Sequence, residues 1–212
     1  MHEAVRDLVR VRSAASEDLR KKHQQLLSFL LRHGRVFTGR KNWTRTDARW
    51  LAAQKFDHPA KQIVFQDQVD VITDPQDRLE RLDAQLAELV PSWSMAPVVA
   101  AYQALRGVSF IVAVTFVSEV GDVRRFDTPR QLMAFLGLVP SERSTGNTVK
   151  RGGLTLAGNR RARRVLIEGA LAYRYPARVT EPIRVRHSRV CRRRCARSPG
   201  GCRRGFAPAT GA

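Results

Sequence analysis

Apolar residues in the first third of the chain recur at helical rather than strand spacing. Val5, Leu8, Leu19, Leu26 and Leu30 fall along one side of a helix over residues 2–33, and Gly34 supplies the stop. A basic loop follows, then a short helix holding Trp50 and Leu51. A second long helical stretch runs from Pro59 to Val90, with Leu79, Leu82, Leu86 and Leu89 in 3-4-3 spacing and charged residues between them. That seam suits either an antiparallel hairpin within one chain or an intermolecular coiled coil. Pro75, with Asp74 before it as an N-cap candidate, allows two helices or one kinked helix.

Beyond Pro91 and Pro97 the pattern shortens into compact helices. Gly107 separates two helical runs, Gly121 ends the second, and Thr128-Pro129 opens another that Gly137 closes. The run "VSFIVAVTFV" has the β-branched content of a buried strand, but its flanking punctuation favours a helix. The last helix, "LAGNRRARRVLIEGALAYRY", carries Val165, Leu166, Ala170 and Tyr173 on one face and closes at Pro176. The expected fold is all-α: an extended helical arm over 1–92, a compact domain with a helix-hairpin-helix-like element over 93–176, and a basic tail over 177–212.

Charge narrows the partners. The 212 residues include 38 Lys+Arg against 19 Asp+Glu, a net charge of +19. Such an excess favours a polyanion, nucleic acid before membrane. No run approaches the roughly 18 apolar residues of a membrane span, and the acid-containing N-terminus is not a secretory signal. A reducing cytosol is the expected setting. Cys191, Cys195 and Cys202 lack zinc-site spacing, so no metal is assigned to them. They lie in a tail with ten arginines, no lysine and no apolar period. It reads as a disordered basic segment or, by its abrupt Arg, Pro, Gly, Ala and Cys bias, as read-through in a shifted frame; the second reading is favoured.

Two stretches carry candidate chemistry. In "LRGVSFIVAVTFVSEVG", Leu105, Gly107 and Val108 fit a helix-hairpin-helix whose backbone N–H groups cradle a DNA phosphate. Ser109 stands where a second glycine is usual, and an ordinary helical hairpin is the alternative. In "FLGLVPSERSTGNTVKRGGLTLAGN", Gly146, Gly152, Gly153 and Gly158 permit close backbone approach beside Lys150, Arg151, Arg160, Arg161, Arg163 and Arg164. Glycines without side-chain bulk and cations that offset charge suit a phosphodiester backbone. Ser144 could attack phosphorus if activated, although Ser-Thr-Gly by itself usually marks a turn. No histidine lies nearby to serve as base.

The parts "EVGDVRRF", "QLMAFLGLVPSERSTG" and "GNRRARRVLIEGA" lie within a stretch, Ala104 to Val179, that resembles the C-terminal domain of the IS-one-ten family of insertion-sequence transposases. "EAVRDLVRVR", "LLSFLLRHG" and the Trp43 to "WLAAQKF" element resemble that family's helical linker. The resemblance implies a DNA recombinase of two parts: a four-carboxylate domain that binds Mg²⁺, and a domain whose serine links covalently to DNA. That serine falls on Ser144, with Thr145 and Gly146 completing its context. The candidate nucleic-acid contacts are Gly107, Gly146, Lys150, Arg151, Asn159, Arg160, Arg161, Arg163 and Arg164. Some family members use a guide RNA. The carboxylate domain has no counterpart between residues 1 and 212, so the chain is expected to be a transposase fragment with no cofactor of its own, inactive alone. It would bind DNA and self-associate or pair with full-length transposase. The alternatives are a non-catalytic nucleic-acid-binding module acting in trans and a helix-hairpin-helix repair accessory. The serine loop argues against the accessory.

Overall fold

A computed structural model describes residues 1–40, 42–145, 148, 150–176 and 185. Among these, α-helix dominates and one two-stranded sheet is present. The chain divides into two units, one of residues 7–88 and one of residues 1–6 together with those from 89 onward. The all-α reading holds for both.

The first unit is built on two long helices, α1 (His2–Arg32, whose first residues belong to the other unit) and α3 (Pro59–Leu89), with α2 (Arg45–Ala52) between them in sequence. Residues late in α1 (Leu26, Phe29, Leu30) share a core with Phe65 and Ile72, early and middle in α3. Nearer its start, Arg12 grips Asp83 with two N–H donors at 2.7 and 3.2 Å. The two helices therefore pair antiparallel within one chain. This is the hairpin alternative of the 3-4-3 seam, of which Leu86 is buried and Leu89 exposed. Pro75 sits inside α3 without dividing it; it forgoes one ladder donor, and burial on either side of it outweighs the loss. At the end of α1, Gly34 takes φ +68° and Arg35 N–H returns to the Leu30 carbonyl at 2.9 Å, the left-handed stop that the sequence predicts.

In the second unit α4 (Ala96–Gln103) and α5 (Phe110–Val120) form a helical hairpin, followed by α6 (Pro129–Phe135), β1 (Pro140–Glu142), β2 (Arg151–Leu154) and α7 (Arg160–Ala170). The ambiguous apolar run is helical. Ser109 caps α5, its hydroxyl accepting from Val112 N–H at 3.4 Å, and every residue from Val112 to Val120 is buried. A helix buried on all sides over this length lies at the centre of its fold, with Thr115, Ser118 and Glu119 as its buried polar residues. Val112, Phe116 and Val120 pack with Leu136, Ala162 and Val165, which brings α5, the end of α6 and α7 into one core.

The segment 141–153, expected as a loop, is part of a short antiparallel hairpin. Pro140 pairs with Leu154 and Glu142 with Arg151 across an irregularity in register. Beyond the strands, Arg143 N–H reaches the Lys150 carbonyl at 2.8 Å, and Thr145 and Thr148 exchange two bonds at 3.1 Å. No apolar alternation announces this hairpin, because β2 is exposed throughout.

Candidate active site

Ser144 lies on this hairpin between Arg143 and Thr145, exposed to solvent. Its hydroxyl donates to Glu142 Oε1 at 2.6 Å. Side chains two apart in extended backbone share a face, so the continued ladder puts Glu142 and Ser144 together. Arg151, directly across from Glu142, is on that face too. Arg143 and Lys150 are paired one step along the ladder and project from the opposite side. By this register Lys150 falls on the face opposite the serine and Arg151 on the same face.

The base of the hairpin is fastened at both feet. Arg163 on α7 is buried, with 9% of its surface exposed, and its Nη1 donates to the Leu136 carbonyl at 2.8 Å and the Leu156 carbonyl at 3.0 Å. One guanidinium thereby joins the chain entering the hairpin to the chain leaving it. Asn159 caps α7, its Oδ1 accepting from Arg161 and Ala162 N–H groups at 3.0 Å. Its Nδ2 donates to Glu119 Oε2 at 2.7 Å, deep on α5. Gly137, at φ +66°, lies so close to Ala157 that a Cβ would overlap the Ala157 carbonyl. Leu156 takes φ +53°, a costly conformation for a residue with a side chain, and holds it through its N–H bond to the Gly137 carbonyl at 3.1 Å and its carbonyl bond to Arg163.

The sequence-derived phosphate contacts thus fall into groups. Lys150, Arg151, Arg160, Arg161 and Arg164 are exposed and, among the described residues, have no ionic partner. Arg163 and Asn159 spend their polar atoms inside the fold. Gly107, at φ +80°, packs its turn on the C-terminal end of α7, where a Cβ would overlap the Gly169 carbonyl and the Ala172 methyl. Arg106 beside it donates to the carbonyls of Ala172, Tyr175 and Pro176, the last at 3.0 Å. Gly146 lies outside the described residues, as does the tail apart from residue 185. The residue that sequence reasoning missed is Glu142. Its signal was the Glu-x-Ser spacing, which carries meaning only once the stretch is known to be extended.

Among the described residues, no group of three or more His, Cys, Asp or Glu is placed to hold a metal ion. The pairing of one exposed carboxylate with a serine does not fit a Mg²⁺ site. No described helix is long and apolar enough to cross a membrane.

Comparison with known proteins bears on the same region. Residues 100–182 match the transposase family described as IS116/IS110/IS902. The chain is 53% identical over 178 residues to y4qE of Sinorhizobium fredii, whose name describes it as a transposase; the match covers 84% of this chain and 42% of that protein. It is 28% identical over 189 residues to the transposase for insertion sequence element IS1533 of Leptospira borgpetersenii, covering 88% of this chain and 54% of that one. A 70-residue stretch is 41% identical to the transposase for insertion sequence element IS1111A of Coxiella burnetii, covering 33% of this chain and 19% of that protein. The chain spans about half the length, or less, of these relatives.

Proposed function

The chain belongs to the IS116/IS110/IS902 family of insertion-sequence transposases, and from that premise we propose that it takes part in DNA transposition with Ser144 as the nucleophile. The observation that carries the reading is the exposed Ser144 hydroxyl on a hairpin rooted to the core by Arg163 and Asn159, with Arg151 on its own face. A hydroxyl that attacks a phosphodiester needs an open approach, a fixed position and cations beside the charged phosphate. The hairpin supplies the first two. The exposed arginines at the start of α7 extend positive charge from the same root, suited to sequence-independent contact with the DNA backbone.

The carboxylates that the family resemblance implies would come from outside the described residues, in a full-length transposase paired with this chain. A guide RNA would compete for the same cationic surface. The test is a covalent-adduct assay on duplex DNA carrying an insertion-sequence end, resolved by denaturing electrophoresis. Isolated chain should give no adduct. Chain mixed with a family transposase whose own serine is replaced should give one, lost in Ser144→Ala and kept in Thr145→Ala. An adduct that survives Ser144→Ala refutes the assignment. DNA binding with no adduct in any mixture favours instead a nucleic-acid-binding module acting in trans.

A further inference from the structure

We propose that Glu142 is the proton acceptor for Ser144, a role that rests on the reading of Ser144 as nucleophile. The carboxylate oxygen stands 2.6 Å from the serine oxygen and accepts its hydrogen bond, within the reach that a general base requires. Both side chains are exposed, so a phosphate can approach without displacing either. The contact follows from the fold: extended backbone turns residues 142 and 144 to the same side, while the pairing of Glu142 with Arg151 fixes the strand there. Arg151 on this face and Arg143 and Lys150 on the other are the charged groups of the hairpin around the carboxylate.

The step balances as a transesterification. The Ser144 Oγ–P bond forms as the bond from phosphorus to the leaving nucleoside oxygen breaks on the opposite side of phosphorus. The hydroxyl proton passes to Glu142, which gives it up through solvent to the leaving oxygen. No oxidant, reductant or water is consumed, and the reverse sequence rejoins the strand. The chemistry that recognises this pair is a phosphorus ester with an accessible in-line face.

Diisopropyl fluorophosphate isolates the proton step, since fluoride leaves without help from DNA-binding surfaces or a partner protein. The full chain would be treated with this reagent and labelling followed by intact mass and peptide mapping across a range of pH. Ser144 should be labelled, and Ser144→Ala should remove that label. Glu142→Gln should slow labelling at least tenfold and abolish the decline in rate toward acid, whereas Glu142→Asp should retain that decline. Thr145→Ala, on the other face, should behave as the unaltered chain. Equal rates and pH profiles for Glu142→Gln and the unaltered chain would overturn the proposal, as would a Ser144 that resists the reagent. Because the DNA-adduct assay judges Ser144 by itself, an adduct lost in Ser144→Ala yet undiminished in Glu142→Gln would reject the base and keep the nucleophile.

Discussion

At the scale of single residues, polar groups placed inside the fold decide what the surface can do. Arg163 reads in the sequence as one of four similar cations near the start of α7, yet it is the one turned inward to two carbonyls. Arg163 is buried with Ala162 and Val165, while Arg160, Arg161 and Arg164 are exposed, and its bonds to the Leu136 and Leu156 carbonyls hold it there. Replacing Arg163 with Ala would leave the Leu136 and Leu156 carbonyls without this donor, each at a cost of about 1–3 kcal/mol. A loss of roughly 2–6 kcal/mol in urea denaturation is expected, against little change for exposed Arg164→Ala. His23 gives a residue-scale prediction in pH. Its ring stacks on Trp43 at 3.6 Å, and burial lowers its pKa, with Asp47 acting weakly the other way. The folded state therefore binds this proton less readily than the unfolded chain, so stability from this group is complete above its ordinary value of about 6.5. It declines as pH falls below that value and levels off once the lowered pKa is passed. His23→Phe, which keeps a ring on Trp43, should reduce the acid-side fall in thermal midpoint.

Elements that bury a face were legible in the sequence, and the one that buries almost nothing was not. The start of α6 at Thr128-Pro129 and the stop at Gly34 are local chemistry that survives into the fold, whereas Ser109 and Asn159, read as a hairpin position and a nucleic-acid contact, cap α5 and α7. Whether α1 and α3 pair with each other or with another chain depends on contacts between residues about 40 to 70 apart, which periodicity does not encode. The hairpin carrying Ser144 escaped detection for a different reason. Its strands have no period-2 apolar signal, and its stability comes from its feet: Arg163, the close approach of Gly137 to Ala157, and the Asn159 link to Glu119. The missed partner of Ser144 follows from the missed strand, since a carboxylate two residues away faces a serine only in extended backbone. Gly137→Ala tests the attachment. It would force a side chain into both a left-handed conformation and the Ala157 carbonyl, with an expected cost above about 1 kcal/mol. It should also raise amide hydrogen exchange at Arg143 and Thr145 more than at Val114 in the core.

For the whole molecule, the proposed function makes binding to DNA a question of how many phosphates the surface reaches. The net charge of +19 sets the sign of the attraction, but only cations that meet phosphates release counterions. Lys150, Arg151, Arg160, Arg161 and Arg164 are exposed without ionic partners among the described residues, whereas Arg163 and Arg106 are occupied by carbonyls. If those five made one phosphate contact each, log affinity would fall with log salt at a slope of about −4.5, or several-hundred-fold from about 50 mM to about 200 mM salt. Ten further arginines lie within residues 177–212, so the full chain should show a steeper slope than this. Deleting 177–212 should weaken binding and bring the slope toward the five-contact value while the helical units described above stay folded. Arg163→Lys, which keeps the charge, should leave the slope unchanged while lowering stability; Arg160→Gln with Arg161→Gln should reduce it by about two contacts. Fluorescence anisotropy on two duplexes of unrelated sequence across a salt series reads all of these together. A slope near zero, or a large preference for one duplex at every salt concentration, would show that base contacts rather than phosphates hold this chain to DNA.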